Sequence, residues 1–207
     1  MPADAPPPVL PGVILAGGRA RRMDGADKAL QILAGRPLLA HVAARLSAQC
    51  APLALSANGD PDRFAGFGLP VLPDSAADHP GPLAGILAGL DWAAGLGAPA
   101  IVTVAVDTPF FPEDLARRLA TAIRPMGVAV AAGEEPGATP RQHPVFAVWS
   151  VGLRDDLRSS LEAGERRVGR FAARHGAAVV TFAETGAFFN INTAADLAAA
   201  EDRARHV

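Results

Sequence analysis

The stretch AIVTVAV at residues 100–106, followed at once by Asp107-Thr108-Pro109, decides the fold class of this chain. Its residues are β-branched or small and it has no polar face, so it reads as a strand buried on both sides, central in a parallel sheet. The abrupt switch to Asp-Thr-Pro ends the strand in a turn, and residues 112–124 resume as a helix with Glu113 and Asp114 in its first turn.

Working outward, the same strand-then-helix alternation recurs. VILA at 13–16 is a short apolar run opening into Gly17-Gly18, and a helix starting at Pro37 puts Leu38, Leu39, Val42 and Leu46 on one face, with His41 and Arg45 on the other. A strand is expected over 52–56, leading into the turn-rich Ala57-Asn58-Gly59-Asp60-Pro61, and a weaker one at Val71-Leu72. After the loop 73–82 a helix runs to about residue 94. The second half adds strands near 128–132, 144–149 and 178–182 and helices near 151–163, 167–175 and 193–205. Residues 133–142 have loop composition and read as a mobile segment bordering a site. This alternation predicts an open, mostly parallel α/β sheet with helices on both faces, binding ligands at the carboxyl ends of its strands.

Composition supports one domain. The 207 residues carry 19 basic and 21 acidic groups, a net charge of −2, and are 50% hydrophobic. That excludes a disordered chain and one that binds nucleic acid through bulk positive charge. Gly, Pro or a charge interrupts every apolar run before the ~20 residues that a membrane helix needs. Residues 1–11 (MPADAPPPVLP) lack the basic and apolar regions of a signal peptide and read as an unstructured leader, with one domain over 12–207 and the cytoplasm as the expected compartment. Cys50, the one cysteine, excludes an intrachain disulfide and reads as an inert residue near a helix end.

The basic residues are 18 arginines and one lysine, Lys28. Where arginine serves everywhere else, a retained lysine marks a position that needs a compact ammonium. It stands in LAGGRARRMDGADKAL (15–30), where Arg19, Arg21, Arg22 and Lys28 outweigh Asp24 and Asp27 by two charges. A Gly-Gly pair directly after a strand brings backbone N–H groups close to a ligand, and with the cations it suits a polyphosphate. It is neither a Walker loop, since Asp27 and Ala29 flank Lys28, nor a G-x-G-x-x-G dinucleotide turn.

Asp107, at the carboxyl tip of a central strand, can offer hard oxygen to a magnesium ion carrying nucleotide phosphates. Asp74 and Asn58, each in a turn after a strand, fit a binding role and an ordinary turn role alike. In Asn190-Ile191-Asn192-Thr193, Asn192 or Thr193 would cap the last helix, which leaves an asparagine for another task. The histidines at 41, 79, 143, 175 and 206 form no H-x-x-x-H pair, although His143 stands where a strand end would reach the site.

Together, LAGGRARRM with Lys28, Asn58-Gly59-Asp60, Pro73-Asp74 followed by GPLAG, Asp107-Thr108-Pro109, HPVF at 143–146 and NINT with Ala195-Asp196-Leu197 resemble the molybdenum cofactor guanylyltransferases, in the wider nucleotidyltransferase group. The pattern covers nearly the whole chain from Val13 onward; Val106 where many members carry cysteine, and Ala20 for a common serine, are departures. The resemblance implies a single-domain, three-layer α/β/α, Rossmann-like nucleotidyltransferase architecture. It implies backbone contacts to GTP from Leu15, Ala16, Gly17 and Gly18, and side-chain contacts from Lys28, Asn58, Asp74 and Asp107. It further implies Mg2+ on Asp107, Lys28 and Arg22 stabilising the departing pyrophosphate, and Asn190 and Asn192 toward the molybdopterin. The implied reaction joins GMP to molybdopterin, with apo-molybdoenzymes or their chaperones as receivers and neither nucleic acid nor membrane as partner. A cytidylyl- or sugar-phosphate nucleotidyltransferase, and a GTP-binding cofactor-delivery protein without catalysis, are the alternatives.

Overall fold

The computed structural model describes residues 9–17, 27–74, 81–134 and 139–205. In chain order the elements are β1 (Gly12–Leu15), β2 (Ile32–Leu33), β3 (Arg36–Pro37), α1 (Leu38–Ser47), β4 (Leu53–Ser56), β5 (Val71–Leu72), α2 (Pro82–Gly95), β6 (Ala100–Ala105), α3 (Leu115–Ala122), β7 (Val128–Gly133), β8 (Arg141–Ser150), α4 (Arg154–Glu162), α5 (Val168–Arg174), β9 (Ala178–Phe182) and α6 (Ala194–Ala204). Short 3-10 helices add Lys28–Leu30, Pro61–Phe67 and Val151–Leu153.

Seven strands form one sheet in the order β5-β4-β1-β6-β8-β7-β9, and β2 pairs with β3 in a small hairpin. β1 runs parallel to both β4 and β6, so the chain winds outward through β4 and β5 and then returns to the other side of β1. That reversal opens a crevice between the carboxyl ends of β1 and β6. The sheet is not parallel throughout: β8 runs antiparallel between β6 and β7, so AIVTVAV is central as expected but parallel to only one neighbour.

Strand residues alternate between two cores. Ile14, Val102, Val104 and Val148 meet Leu39, Val42 and Leu46 of α1 and Leu115 and Leu119 of α3. Val13, Leu15, Ile101, Val130 and Trp149 meet α2, α4 and α5 through Leu83, Leu87, Leu157 and Phe171. The period of two thus serves a three-layer sandwich from one short sheet. Thr103, buried within β6, donates to the Val145 carbonyl (2.6 Å) and accepts from Trp149 Nε1 (3.0 Å), so this polar atom in the core is satisfied. Against the β1–β4 region α2 lies very close: a Cβ on Gly85 would sit 2.4 Å from Ser56 Oγ, and one on Gly89 2.9 Å from Val13 Cγ2. A smaller core of Leu33, Leu38, Phe110, Ile191 and Ala200 fastens α6 to the β2–β3 hairpin.

Several expected boundaries shift, each for a local reason. Residues 1–8 of the expected leader lie outside the described residues, but Leu10 is buried, its carbonyl accepts from Ala51 N (3.1 Å), and the Pro11 carbonyl accepts from Val102 N (2.9 Å). The fold therefore takes hold of the chain before residue 12. The segment 133–142 is shorter than its composition implies, because Gly133 ends β7 and Arg141 and Gln142 already pair in β8. Register there jumps from Val130↔Ala147 to Ala131↔His143. Pro144, which has no N–H to give a ladder, falls inside that irregularity. α3 starts at Leu115, after Pro112, Glu113 and Asp114 have formed a turn, rather than at 112.

Candidate nucleotide site

Each expected site residue in the described part of the chain stands at the carboxyl edge of the sheet. β1 delivers Leu15, Ala16 and Gly17 between its neighbours. The Leu15 carbonyl accepts from Val106 N (3.1 Å) and Ala16 N donates to the Ser56 carbonyl (2.9 Å), so the ladder holds the chain until it leaves the sheet at Gly17. Gly18 and Arg22, with the neighbouring Arg19 and Arg21, lie outside the described residues.

Lys28 opens the 3-10 turn Lys28–Leu30, which Asp27 caps by accepting from Ala29 N at 3.0 Å. Its ammonium donates to Asp107 Oδ2 (2.8 Å) and to Asn192 Oδ1 (2.6 Å), with 15% of the lysine side chain and 22% of the aspartate side chain exposed. Three distant segments thus meet at one nitrogen. Two of its three protons are placed by protein oxygens, and the third suits an anion.

The segment carrying Asn190 and Asn192 is held by the residue between them. Ile191 is fully buried, and its N–H donates to the Asp107 carbonyl at 2.8 Å. The asparagines on either side of this anchor both reach the strand-end cluster, Asn190 at Thr108 and Asn192 at Lys28. Asn190 Oδ1 accepts from the Thr108 hydroxyl (2.6 Å), which also lies 3.1 Å from Asp107 Oδ1. Thr193 caps α6 by accepting from Asp196 N (3.1 Å), while Asp196 Oδ2 accepts from Thr193 N (2.8 Å) and Asn192 N (2.9 Å). Those backbone hydrogen bonds, that to Asn192 first, hold the Asp196 carboxyl below the usual carboxylate range. The cap of α6 falls to Thr193, which leaves both asparagine side chains to the Lys28–Asp107–Thr108 cluster.

On the other side of β1, Asn58 and Asp74 interlock. Asn58 Nδ2 donates to Asp74 Oδ2 (2.6 Å) and Asp74 N donates to Asn58 Oδ1 (3.0 Å). A Cβ on Gly17 would lie 3.7 Å from Asp74 Oδ1, so the glycine turn and the carboxylate face each other. Burial pushes the Asp74 carboxyl up, and the hydrogen bond from Asn58 pulls it partly back. Among the described residues, Asp74 Oδ1 and the buried Ser56 Oγ make no hydrogen bond of standard geometry, although Ser56 also helps to pull the Asp74 carboxyl down.

Sequence reading did not single out Thr108, Ser56 or Arg63 as site residues. Thr108 and Ser56 carry no short-range signal beyond following or ending a strand; Arg63, whose Nε lies 2.9 Å from Asp27 Oδ2, is one arginine among eighteen. His143 is stacked on Phe188, with ring centroids 4.5 Å apart and planes at 18°.

A glycine just after β1 facing Asp74, and a second strand-end carboxylate, Asp107, that grips Lys28, on this sheet order, define the nucleotidyltransferase class. Residues 12–179 match the MobA-like NTP transferase domain. A molybdenum cofactor guanylyltransferase of Cereibacter sphaeroides is 55% identical over 195 residues, covering 94% of this chain and 96% of the relative. Another, from Bradyrhizobium sp. (strain ORS 278), is 51% identical over 197 residues, covering 93% and 92%. The chain belongs to the molybdenum cofactor guanylyltransferase family. Its fold is shared by the crystal structure of molybdopterin-guanine dinucleotide biosynthesis protein A from Archaeoglobus fulgidus, with a TM-score of 0.73 at 23% identity over 96% of this chain and 100% of that one.

Proposed function

We propose that this chain transfers GMP from GTP to molybdopterin, forming molybdopterin guanine dinucleotide and releasing pyrophosphate. The observation that carries the reading is the single ammonium of Lys28 joining Asp107, at the end of β6, to Asn192, before α6. It joins a residue suited to nucleotide phosphates to one suited to the acceptor. The two named relatives, at 55% and 51% identity, supply the guanylyl and molybdenum cofactor chemistry.

In this reading an oxygen of the pterin's terminal phosphate bonds to the α-phosphorus of GTP as the bond from that phosphorus to the β-phosphate bridge breaks. No general base is needed, because a phosphate monoester is mostly ionised at neutral pH. The protein's work is to align two anions and offset their charge. Leu15, Ala16, Gly17 and Gly18 would approach the nucleotide through backbone, with Asn58 and Asp74 beside them. Lys28 and Arg22 would stabilise the leaving pyrophosphate, and Asn190 and Asn192 would hold the pterin.

Asp107 fits a magnesium ion. Among the described residues no three His, Cys, Asp or Glu side chains converge, and Asp107 is the carboxylate that they would offer it. Magnesium is bound in this way when substrate phosphates and water complete its shell. When bound, it would add positive charge beside the phosphates; Lys28, held against the same carboxylate, supplies the protein's own. Among the described residues no helix is long and apolar enough to cross a membrane. We place the reaction in the cytoplasm, with apo-molybdoenzymes or their chaperones as receivers of the product.

The test is pyrophosphate release from the purified chain with magnesium, molybdopterin and, separately, GTP, CTP and ATP. Release with GTP alone is expected. Release with CTP would move the chain to cytidylyl transfer, and GTP binding without release would make it a delivery protein.

A further inference from the structure

The Lys28 cluster and the Asn58–Asp74 pair lie on opposite sides of β1, and one side chain outside both is bonded to Asp27, next to Lys28, and to the backbone of Asn58. Arg63 Nε lies 2.9 Å from Asp27 Oδ2, the second oxygen of the residue that caps the Lys28 turn. Its Nη2 donates to the Asn58 carbonyl at 2.5 Å. Its guanidinium lies 4.6 Å from the centroid of the buried Phe64 ring, which supports it from below. Asp60 caps the turn that carries Arg63, accepting from Asp62 N at 3.0 Å.

Gly59 permits this arrangement twice. Its φ of +86° is a conformation that side chains disfavour, and a Cβ there would lie 3.0 Å from Arg63 Nη1. The two bonds leave the guanidinium from different nitrogens in one plane. A lysine, with a single nitrogen, could not reach both acceptors in that geometry.

We infer that Arg63 is a positioning residue that fixes the spacing between the Lys28 and Asn58–Asp74 halves of the nucleotide site. The inference rests on the nucleotide reading above. Two subsites held at the right separation strengthen a ligand that spans both, and add nothing for a fragment that fills one. Arg63 therefore acts on the whole nucleotide rather than on its phosphates alone.

The experiment is calorimetric titration of the full chain with magnesium and either GTP or inorganic tripolyphosphate, for wild type, Arg63→Lys and Asp27→Asn, with a thermal melt of each. Asn is itself a good N-cap, so Asp27→Asn keeps the Lys28 turn capped while removing the ion pair. Both variants are expected to lose about tenfold in GTP affinity and less than about twofold in tripolyphosphate affinity, with melting temperatures close to wild type. Equal losses for both ligands would make Arg63 a direct phosphate contact and overturn the positioning role, as would unchanged GTP affinity in either variant. Wild type that binds tripolyphosphate but not GTP would overturn the nucleotide reading itself, and that failure shows before any variant is compared.

Discussion

Lys28 and Asn192, separated by 164 positions in the chain, meet at 2.6 Å, and the same ammonium lies 2.8 Å from Asp107. A compact cation between two fixed oxygens leaves no room for a planar, longer group. Lys28→Ala is expected to lower kcat by about 10²–10³, and Lys28→Arg to rescue little of it. Pyrophosphate release, alongside a melting temperature near wild type, checks both.

Asn192 has two tasks in the proposed mechanism, holding Lys28 and facing the acceptor. Asn192→Ala is therefore expected to raise KM for molybdopterin more than KM for GTP. Its effect on kcat/KM should be non-additive with that of Lys28→Ala, with a coupling of about 0.5–3 kcal/mol. Strict additivity in the double-mutant cycle would mean that the 2.6 Å contact carries no energy.

Burial raises the Asp74 carboxyl above its ordinary range. In the window between the ordinary and raised values the unfolded chain has released this proton and the folded chain has not. Stability from this group is therefore present at lower pH and lost as pH rises through that window. Asp74→Asn is expected to melt higher than wild type at neutral pH and to bind GTP more weakly. Parallel melts and titrations at acidic and neutral pH test the pair, and a lower melting temperature would refute the sign.

Gly85 lets α2 lie against β1 and β4. A methyl group there would stand 2.4 Å from Ser56 Oγ and 3.0 Å from Leu15 Cδ2. Gly85→Ala is expected to cost about 1–3 kcal/mol through overpacking, lowering the melting temperature by about 2–4 °C per kcal/mol. Because Ser56 ends β4 just before Asn58, GTP affinity should fall as well.

Burial pushes the Cys50 thiol up to about 12 from its ordinary 9.0. The unfolded chain gives up that proton first, so the folded state loses stability as pH rises from about 9 toward about 12. Denaturant titrations across that range should show the loss in wild type and a flatter profile in Cys50→Ala. A thiol reagent should react slowly until the chain unfolds.

How much of this was legible in the sequence depends on range. The apolar runs at 13–16 and 100–106 place β1 and β6, and Leu38, Leu39, Val42 and Leu46 mark the buried face of α1, because periodicity is a local property. The antiparallel course of β8 was not legible, since strand direction depends on pairing with β6 and β7. Lys28 and Asp107 stood out by rarity and by position. Asn190 and Asn192 stood out by resemblance, but the bonds themselves did not: nothing near Arg63 announces Asp27, and nothing near Thr108 announces Asn190, because those bonds exist only once the chain has folded.

The arginine-rich composition has a practical consequence at this centre. Lys28 carries the chain's one ε-amine, held between Asp107 and Asn192 with 15% of its side chain exposed. An amine-directed acylating reagent therefore meets a single side-chain target. Protection of that amine by a bound anion would turn ordinary mass spectrometry into a gauge of site occupancy, with no engineered label.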